Sequence, residues 1–366
     1  MPNSEDSAHK VFSMAPEEPK KKPPIKAIKS IQLDLFSSFL SNDKSTVSNT
    51  VELWESIPKY FLTPHQVEKL RTEKGLAEPY KWSYLFNGTP FTVKIQPALI
   101  EQEDGSYKAF FPSVTEELVE EALKKIFTDQ NLGIHDPEKM ETWVKFSLSM
   151  IARELKARGR SRTRVQIKQS IKIMSGSIIT LYREGEEVWE GSILQDLITV
   201  SRKKYLSETD AQHVARLPLF ISHAINQLDY RQFNYDRLMR CNDQLTRWIY
   251  KKFVHRYKQA SFLNDYHINY STIREESGFL QQDRAADNRK KVIKAIEELI
   301  SRNVLFSYET KEHRTGRKIV DVTYTVKPSQ EFAKEQKAAN KRVTDGTENI
   351  KRAGGKIQQI PFPSSS

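Results

Sequence analysis

The stretch NYSTIREESGFLQQDRAADNRKKVIKAIEELISRNVLFSYETKEHRTGRKIVDVTYTV, Asn269–Val326, decides how this chain folds. Its spacing predicts a helix through Ser271, Ile273 and Glu276, capped by Asn269 or Ser271. Gly278 supplies a turn. A longer helix then covers Arg284–Asn303, in which Val292, Ile296 and Leu299 recur at helical spacing as a buried stripe. Arg284, Asn288, Lys290, Lys291 and Lys294 fall on its other faces. Two β-rich runs follow, Val304–Tyr308 and Ile319–Val326. In the second, Val320, Val322, Tyr324 and Val326 alternate with Asp321, Thr323 and Thr325, the mark of a half-buried strand. Between the runs, Lys311–Lys318 is a basic loop turning at Gly316. Its Lys311, Arg314, Arg317 and Lys318 suit contact with phosphate.

The same order of parts recurs upstream. Ser147 caps a helix with Leu148, Ile151 and Leu155 inward, Gly159 makes the turn, and Thr163–Ser175 is the next helix. Ile167, Ile171 and Met174 form its inner side. Arg164, Lys168 and Lys172 form a stripe opposite, at intervals of one helical turn. Ser177–Tyr182 and Val188–Ser192 then read as a hairpin. Arg153–Lys172 holds eight basic residues, Arg160 and Arg162 among them, against Glu154 alone. Such a stripe just after a turn is placed to meet DNA phosphates and guanine edges. Helix, turn, helix and hairpin in series are the parts of a winged helix. The expected fold is therefore α+β, with two tandem winged-helix domains at 113–205 and 213–328. An N-terminal extension at 50–112 precedes them, and disordered tails flank the whole at 1–49 and 329–366.

Met1–Ile31 is polar, proline-bearing and lysine-rich, a composition that does not fold. Gln32-Leu33-Asp34-Leu35-Phe36 stands out within that tail. The pentapeptide resembles the bacterial sliding-clamp-binding motif. The resemblance implies that Gln32 hydrogen-bonds at one end of the clamp's groove, with Leu33 beside it, while Leu35 and Phe36 fill an apolar pocket. The competing reading is an amphipathic helix in which Leu35, Phe36 and Phe39 pack on the protein's own body. Within the extension, Phe91–Ile95 and Tyr107–Phe111 read as a strand pair about a Glu103–Gly105 turn, with packing as their role. From Ser113 a helix begins whose Glu116, Glu117, Glu120 and Glu121 read as a solvated face. Lys203–Ala211 reads as a linker. Phe233–Ala260 reads as one long helix with Leu238, Cys241, Leu245, Trp248 and Ile249 buried. Its Arg237, Arg240, Arg247, Lys251, Lys252, Arg256 and Lys258 are expected to lie along a duplex backbone. Gln330–Arg342 reads as a short helix and Asp345–Ser366 as disordered.

The chain has 366 residues and a formal net charge of +11, enough length for two or three cores and a balance that implies an acidic partner. Its single cysteine, Cys241, excludes a disulfide scaffold within the chain and fits a reducing cytoplasm. No apolar run is long enough to span a bilayer, and the N-terminal lysines precede Pro23-Pro24 in place of a signal-peptide core. There is no phosphate-binding loop ending in Lys-Ser/Thr, no zinc-ligand spacing and no nucleophile elbow. Tyr205, Tyr230 and Tyr235 could serve a nicking enzyme, but the His-rich metal motif of that chemistry is missing. The expectation is no catalytic residue, no metal and no cofactor.

Leu217–Ile225 (LPLFISHAI), Thr246–Phe253 (TRWIYKKF), His255–Tyr257 (HRY) and Tyr270–Gly278 (YSTIREESG) complete the picture. With two winged-helix patterns in tandem, they resemble the bacterial plasmid replication initiators of the RepA/TrfA type. The resemblance covers the second module, and the first by pattern only. It implies binding to repeated double-stranded origin sequences, strand opening, and recruitment of the host replicative helicase and initiator. It also implies contact with the bacterial beta sliding clamp, a homodimer, and a place on the plasmid in the bacterial cytoplasm. The regular leucine repeat that such initiators use for dimerisation is not traceable in the first module. The alternatives are a winged-helix repressor of its own gene and an origin-nicking enzyme.

Overall fold

The computed structural model describes Phe39 and residues 46–128, 132–199 and 212–352. Of the tails expected at 1–49 and 329–366, residues 1–38, 40–45 and 353–366 lie outside these residues, as do the Gln32–Phe36 motif and the Lys203–Ala211 linker, whereas 46–49 and 329–352 are described and include a strand and a helix.

The chain enters through β1 (Val47–Thr50), α1 (Glu52–Ser56) and α2 (Pro64–Leu70), then the hairpins β2–β3 (Tyr80–Phe86, Thr89–Gln96) and β4–β5 (Ala98–Glu101, Tyr107–Phe110). Phe91–Ile95 and Tyr107–Phe110 do not pair with each other. β3 pairs with β2, and β5 with β4. Asn87 and Gly88, both at positive φ, close β2–β3 as a two-residue turn, the geometry that matches strand twist.

The first module runs α3 (Val114–Phe127), β6 (Gly133–Asp136), β7 (Glu141–Ser147), α4 (Leu148–Ala157), α5 (Arg164–Gly176), β8 (Ile178–Arg183), β9 (Glu186–Ser192), β10 (Gln195–Thr199) and β11 (Gln212–Arg216). Its hairpin β8–β9 does not stand alone, because β8 pairs with β3 in a sheet of order β2-β3-β8-β9. A second sheet, β10-β11-β7-β6, covers the other side.

The second module follows α6 (Leu219–Gln227), β12 (Arg231–Asn234) and α7 (Tyr235–Arg240). It comprises α8 (Gln244–Arg256), β13 (Tyr266–Asn269), α9 (Tyr270–Ser277), α10 (Ala285–Ser301) and the hairpin β14–β15 (Leu305–Thr315, Lys318–Pro328). Both modules thus run helix, strand, helix, helix, hairpin, the first with β6 as an additional strand before β7. The expected single helix Phe233–Ala260 is broken at Cys241–Asp243. Asp243 caps α8 by accepting from the Leu245 amide, a competing local bond that ends one helix and starts the next. In α9 the predicted cap is replaced from a distance. Asp321 of β15 accepts from the Ser271 amide at 3.0 Å and from its hydroxyl at 2.6 Å, tying hairpin to helix.

The chain closes with α11 (Gln330–Arg352), ten residues longer than the helix expected from Gln330–Arg342. Phe332 is buried against Tyr250 and Tyr257. Arg231 donates to Gln336 and Asn340, and Arg237 pairs with Glu335 at 2.8 Å. β12, gripped in this way by α11, pairs on its other side with β1. The 46–112 region and the second module are therefore bound together. Phe39 is buried against Phe127 and Tyr230, so the packing role considered for the Leu35–Phe39 run is realised at Phe39.

Candidate nucleic-acid interface

Helix α5 is set by a capping box: the Thr163 hydroxyl accepts from the Gln166 amide, and the Gln166 side chain accepts from the Thr163 amide at 2.9 Å. Ile167, Ile171 and Met174 bury one side. That leaves Arg164, Lys168 and Lys172 exposed on the opposite side, with Val165 and Gln169 among them. None of the three cations has an ion pair or hydrogen bond among the described residues. A face of unpaired cations at the start of the second helix of a helix-turn-helix is a polyanion site in waiting.

The turn before α5 does something else. Gly159, at φ +71°, turns the chain so that Arg160 reaches the corner between α7 and α8. Arg160 donates to the carbonyls of Met239 (2.8 Å) and Cys241 (2.5 Å) and to the Asn242 side chain (3.3 Å). It bridges the modules and is half-buried, not free for phosphate. Arg162 is half-exposed and donates to the Ser161 carbonyl.

In the second module the predicted contacts divide. Arg284 and Lys294 are exposed. Lys290 is exposed beside Asp287, at 3.7 Å. Lys291 is half-buried and donates to the Phe279 carbonyl. Asn288 is a correction: it is buried and bonds both the amide and the carbonyl of Gln282, so it staples the α9–α10 turn and faces away from solvent. The basic segment Lys311–Lys318 is also not a loop. β14 and β15 stay paired out to Thr315–Lys318, leaving Gly316 and Arg317 as the turn. Gly316 takes φ +61° at the first central position, as a type II′ turn requires. The result is a long two-stranded arm with Lys311, Arg314, Arg317 and Lys318 exposed toward its tip, Arg314 held by Glu312.

The basic face expected on α8 is absent. Arg247 and Lys251 are buried, and they meet the carboxylates that the sequence suggested were solvated on α3. Arg247 grips Glu117 with two bonds of 2.9 and 2.7 Å, and Lys251 bonds Glu121 at 2.6 Å and Glu55 at 2.5 Å. Both interhelix pairs are offset by 130 residues, so α3 and α8 lie side by side in the same direction. Lys124 joins Glu55 and Glu121. Glu120 accepts from Trp54 and Tyr60, and Glu116 from Ser170. Against the cost of burial, the ammonium groups of Lys124 and Lys251 hold the Glu55 carboxyl well below its usual range. Arg247 does the same to Glu117. Lys252 and Arg256 are paired as well, with Glu276 and Glu52. The first helices of the two modules are thus locked by charges facing inward, while the charges of α5 face outward.

Arg160 and Asn242 carry the link further. The Asn242 amide donates to Glu298 of α10 at 2.7 Å, and Thr246 donates to the same carboxylate at 2.9 Å. A trough of mixed charge, lined by Lys291, Lys294 and Arg302 and by Asp243, Glu297 and Glu298, runs beside the corner that holds the α4–α5 turn. Sequence reasoning missed Val165 and Gln169 at the surface of α5. The signal was their position on the arc just beyond Lys172, away from the buried Ile167 and Ile171.

No family model matches the chain, and no curated protein matches it. Several solved structures are similar to it, three of which follow. A crystal structure of selenomethionine derivatives of domains 2 and 3 of RctB is 14% identical, with a TM-score of 0.46, over 76% of this chain and 98% of that one. A second structure of RctB domains 2–3 is 13% identical, with a TM-score of 0.42, over 74% and 97%. The Pi initiator protein in complex with iteron DNA is 14% identical, with a TM-score of 0.41, over 59% and 91%. Among the described residues, no helix is long and apolar enough to cross a membrane. No group of three or more His, Cys, Asp or Glu among them could hold a metal.

Proposed function

We propose that this protein is a replication initiator that binds repeated double-stranded DNA at an origin, opens it and recruits host replication proteins without itself catalysing a covalent step. The observation that carries the reading is the unpaired cationic face of α5, held in one body with α10 and the β14–β15 arm. The sequence resemblance to plasmid initiators supports the origin as the target. Tyr230 and Tyr235, considered as nicking nucleophiles, are buried, and burial pushes both phenols up, away from the phenolate that attack on phosphorus needs. The test is footprinting on DNA flanking the gene. Several evenly spaced protected repeats are expected. One palindrome across a promoter would make the protein a repressor, and metal-dependent nicking of a supercoiled origin plasmid would make it an enzyme.

The Gln32–Phe36 motif extends the proposal to the bacterial sliding clamp. Leu35→Ala with Phe36→Ala is expected to abolish clamp binding and origin replication while leaving melting temperature and duplex affinity unchanged. Melting several degrees lower with clamp binding intact would assign the two side chains to the core.

A further inference from the structure

Helix α5 exposes one large apolar side chain, and it lies at the edge of the cationic stripe. Val165 is 76% exposed at the second residue of the helix. At 100° per residue it falls between Lys172 and Gln169 on the helix circumference, with Lys168 on the far side of Lys172. A β-branched residue in a helix at full exposure gains nothing from packing and has modest helix propensity. Its neighbours supply charge, and where a lysine or arginine sits on a phosphate it positions the protein and reads no sequence. Gln166, also near the helix start, is engaged in the cap, while Arg164 stays exposed for a phosphate or a guanine edge. The first turn of such a helix is the part that meets base edges in the major groove. A valine there offers only methyl groups, and the one apolar feature of that groove is the C5-methyl of thymine.

We propose that Val165 is a specificity-determining residue that reads a thymine methyl group in the major groove. Gln169, one turn further on the same face, hydrogen-bonds a neighbouring base, adenine being its best match. The inference rests on the DNA-binding reading above and adds the base that the first module selects.

The test needs no known origin. The full chain selects duplexes from a randomised pool, and in the best duplex each thymine is replaced in turn by deoxyuridine, which removes one methyl and keeps the base pair. One position is expected to lose about fourfold in affinity, the worth of one buried methyl. Val165→Ala should bind the thymine duplex about as weakly and be indifferent to uracil at that position. Because Val165 is 76% exposed, the melting temperature of the variant should match the wild type. Specific binding with no uracil-sensitive position overturns this inference alone, as does a Val165→Ala protein that keeps the full uracil penalty at the same position. Failure to select any sequence overturns the proposed function and this inference with it.

Discussion

Replacing Arg247 by methionine probes the lock between the modules. The guanidinium side chain is 1% exposed and that of Glu117 10%. Methionine fills much of the arginine's volume but leaves the Glu117 carboxylate buried, with Gln244 at 2.9 Å as its remaining donor from α8. The Cys241 carbonyl also loses its 2.9 Å bond. Stranding a buried charge in this way costs about 3–5 kcal/mol. The double replacement, Arg247→Met with Glu117→Leu, removes both charges and their desolvation, and it should lie within about 1 kcal/mol of wild type. With the Glu117→Leu single included, the coupling in a double-mutant cycle is then at least about 2 kcal/mol, read from urea unfolding midpoints with far-ultraviolet dichroism. The single variant should also bind its DNA more weakly than the double, because the spacing of α5 and α10 depends on this contact. A cost under about 1 kcal/mol for Arg247→Met, or a double variant as unstable as the single, would refute the lock.

Neutralising Arg164, Lys168 and Lys172 together should reduce the slope of log affinity against log salt by roughly two to three, at about 0.9 per phosphate contact, with no change in melting temperature; an unchanged slope removes α5 from the interface. Gly278→Ala should cost more than Gly159→Ala in thermal melts. Both glycines have φ +71°, a strain of about 1–2 kcal/mol for alanine, but only at Gly278 would the new Cβ press on Phe61 and Pro58, each at 3.3 Å. Acidification should weaken the fold in two stages. Burial pushes the His255 imidazole down to about 3, so below pH 6.5 the unfolded chain takes up a proton the folded one refuses, and stability falls by at most about 1.4 kcal/mol per pH unit. His255→Asn should flatten that stage of the pH–stability curve. Glu55 and Glu117, both held low, add stability that is present above pH 4.5 and lost on further acidification.

The order of elements was legible because it is written locally. Ser147 and Thr163 cap helices by bonding amides three residues on, and Gly159 and Gly278 mark the turns between paired helices. The stripe Arg164-Lys168-Lys172 was legible for the same reason: its inner counterpart, Ile167-Ile171-Met174, shares the helix. What stayed hidden depends on distant partners. Glu116, Glu117, Glu120 and Glu121 have the spacing of a solvated face, and their burial follows only when α8 arrives from 130 residues away. Asn288 looks like a base-reading amide until Gln282 folds back upon it. The extent of the arm also escaped, since Lys311–Lys318 is polar throughout and strand pairing there is fixed by a two-residue turn, not by an apolar alternation.

One signal did span the distance. Glu117 and Glu121 are four apart on α3, and Arg247 and Lys251 are four apart on α8, opposite charges at a matched helical repeat. Two helices carrying such ladders can satisfy both only by lying alongside each other, which fixes their register as well as their contact. A hydrophobic seam of equal area would hold the modules together but allow them to slide. Two modules on a flexible tether would each pay the ordering cost of binding separately. With α3 and α8 in register, and Arg160 and Asn242 carrying the contact on to α10, the faces of α5 and α10 are held at a set spacing within the protein itself. If α5 and α10 meet DNA as proposed, the buried charges act on recognition through geometry and the exposed ones through contact.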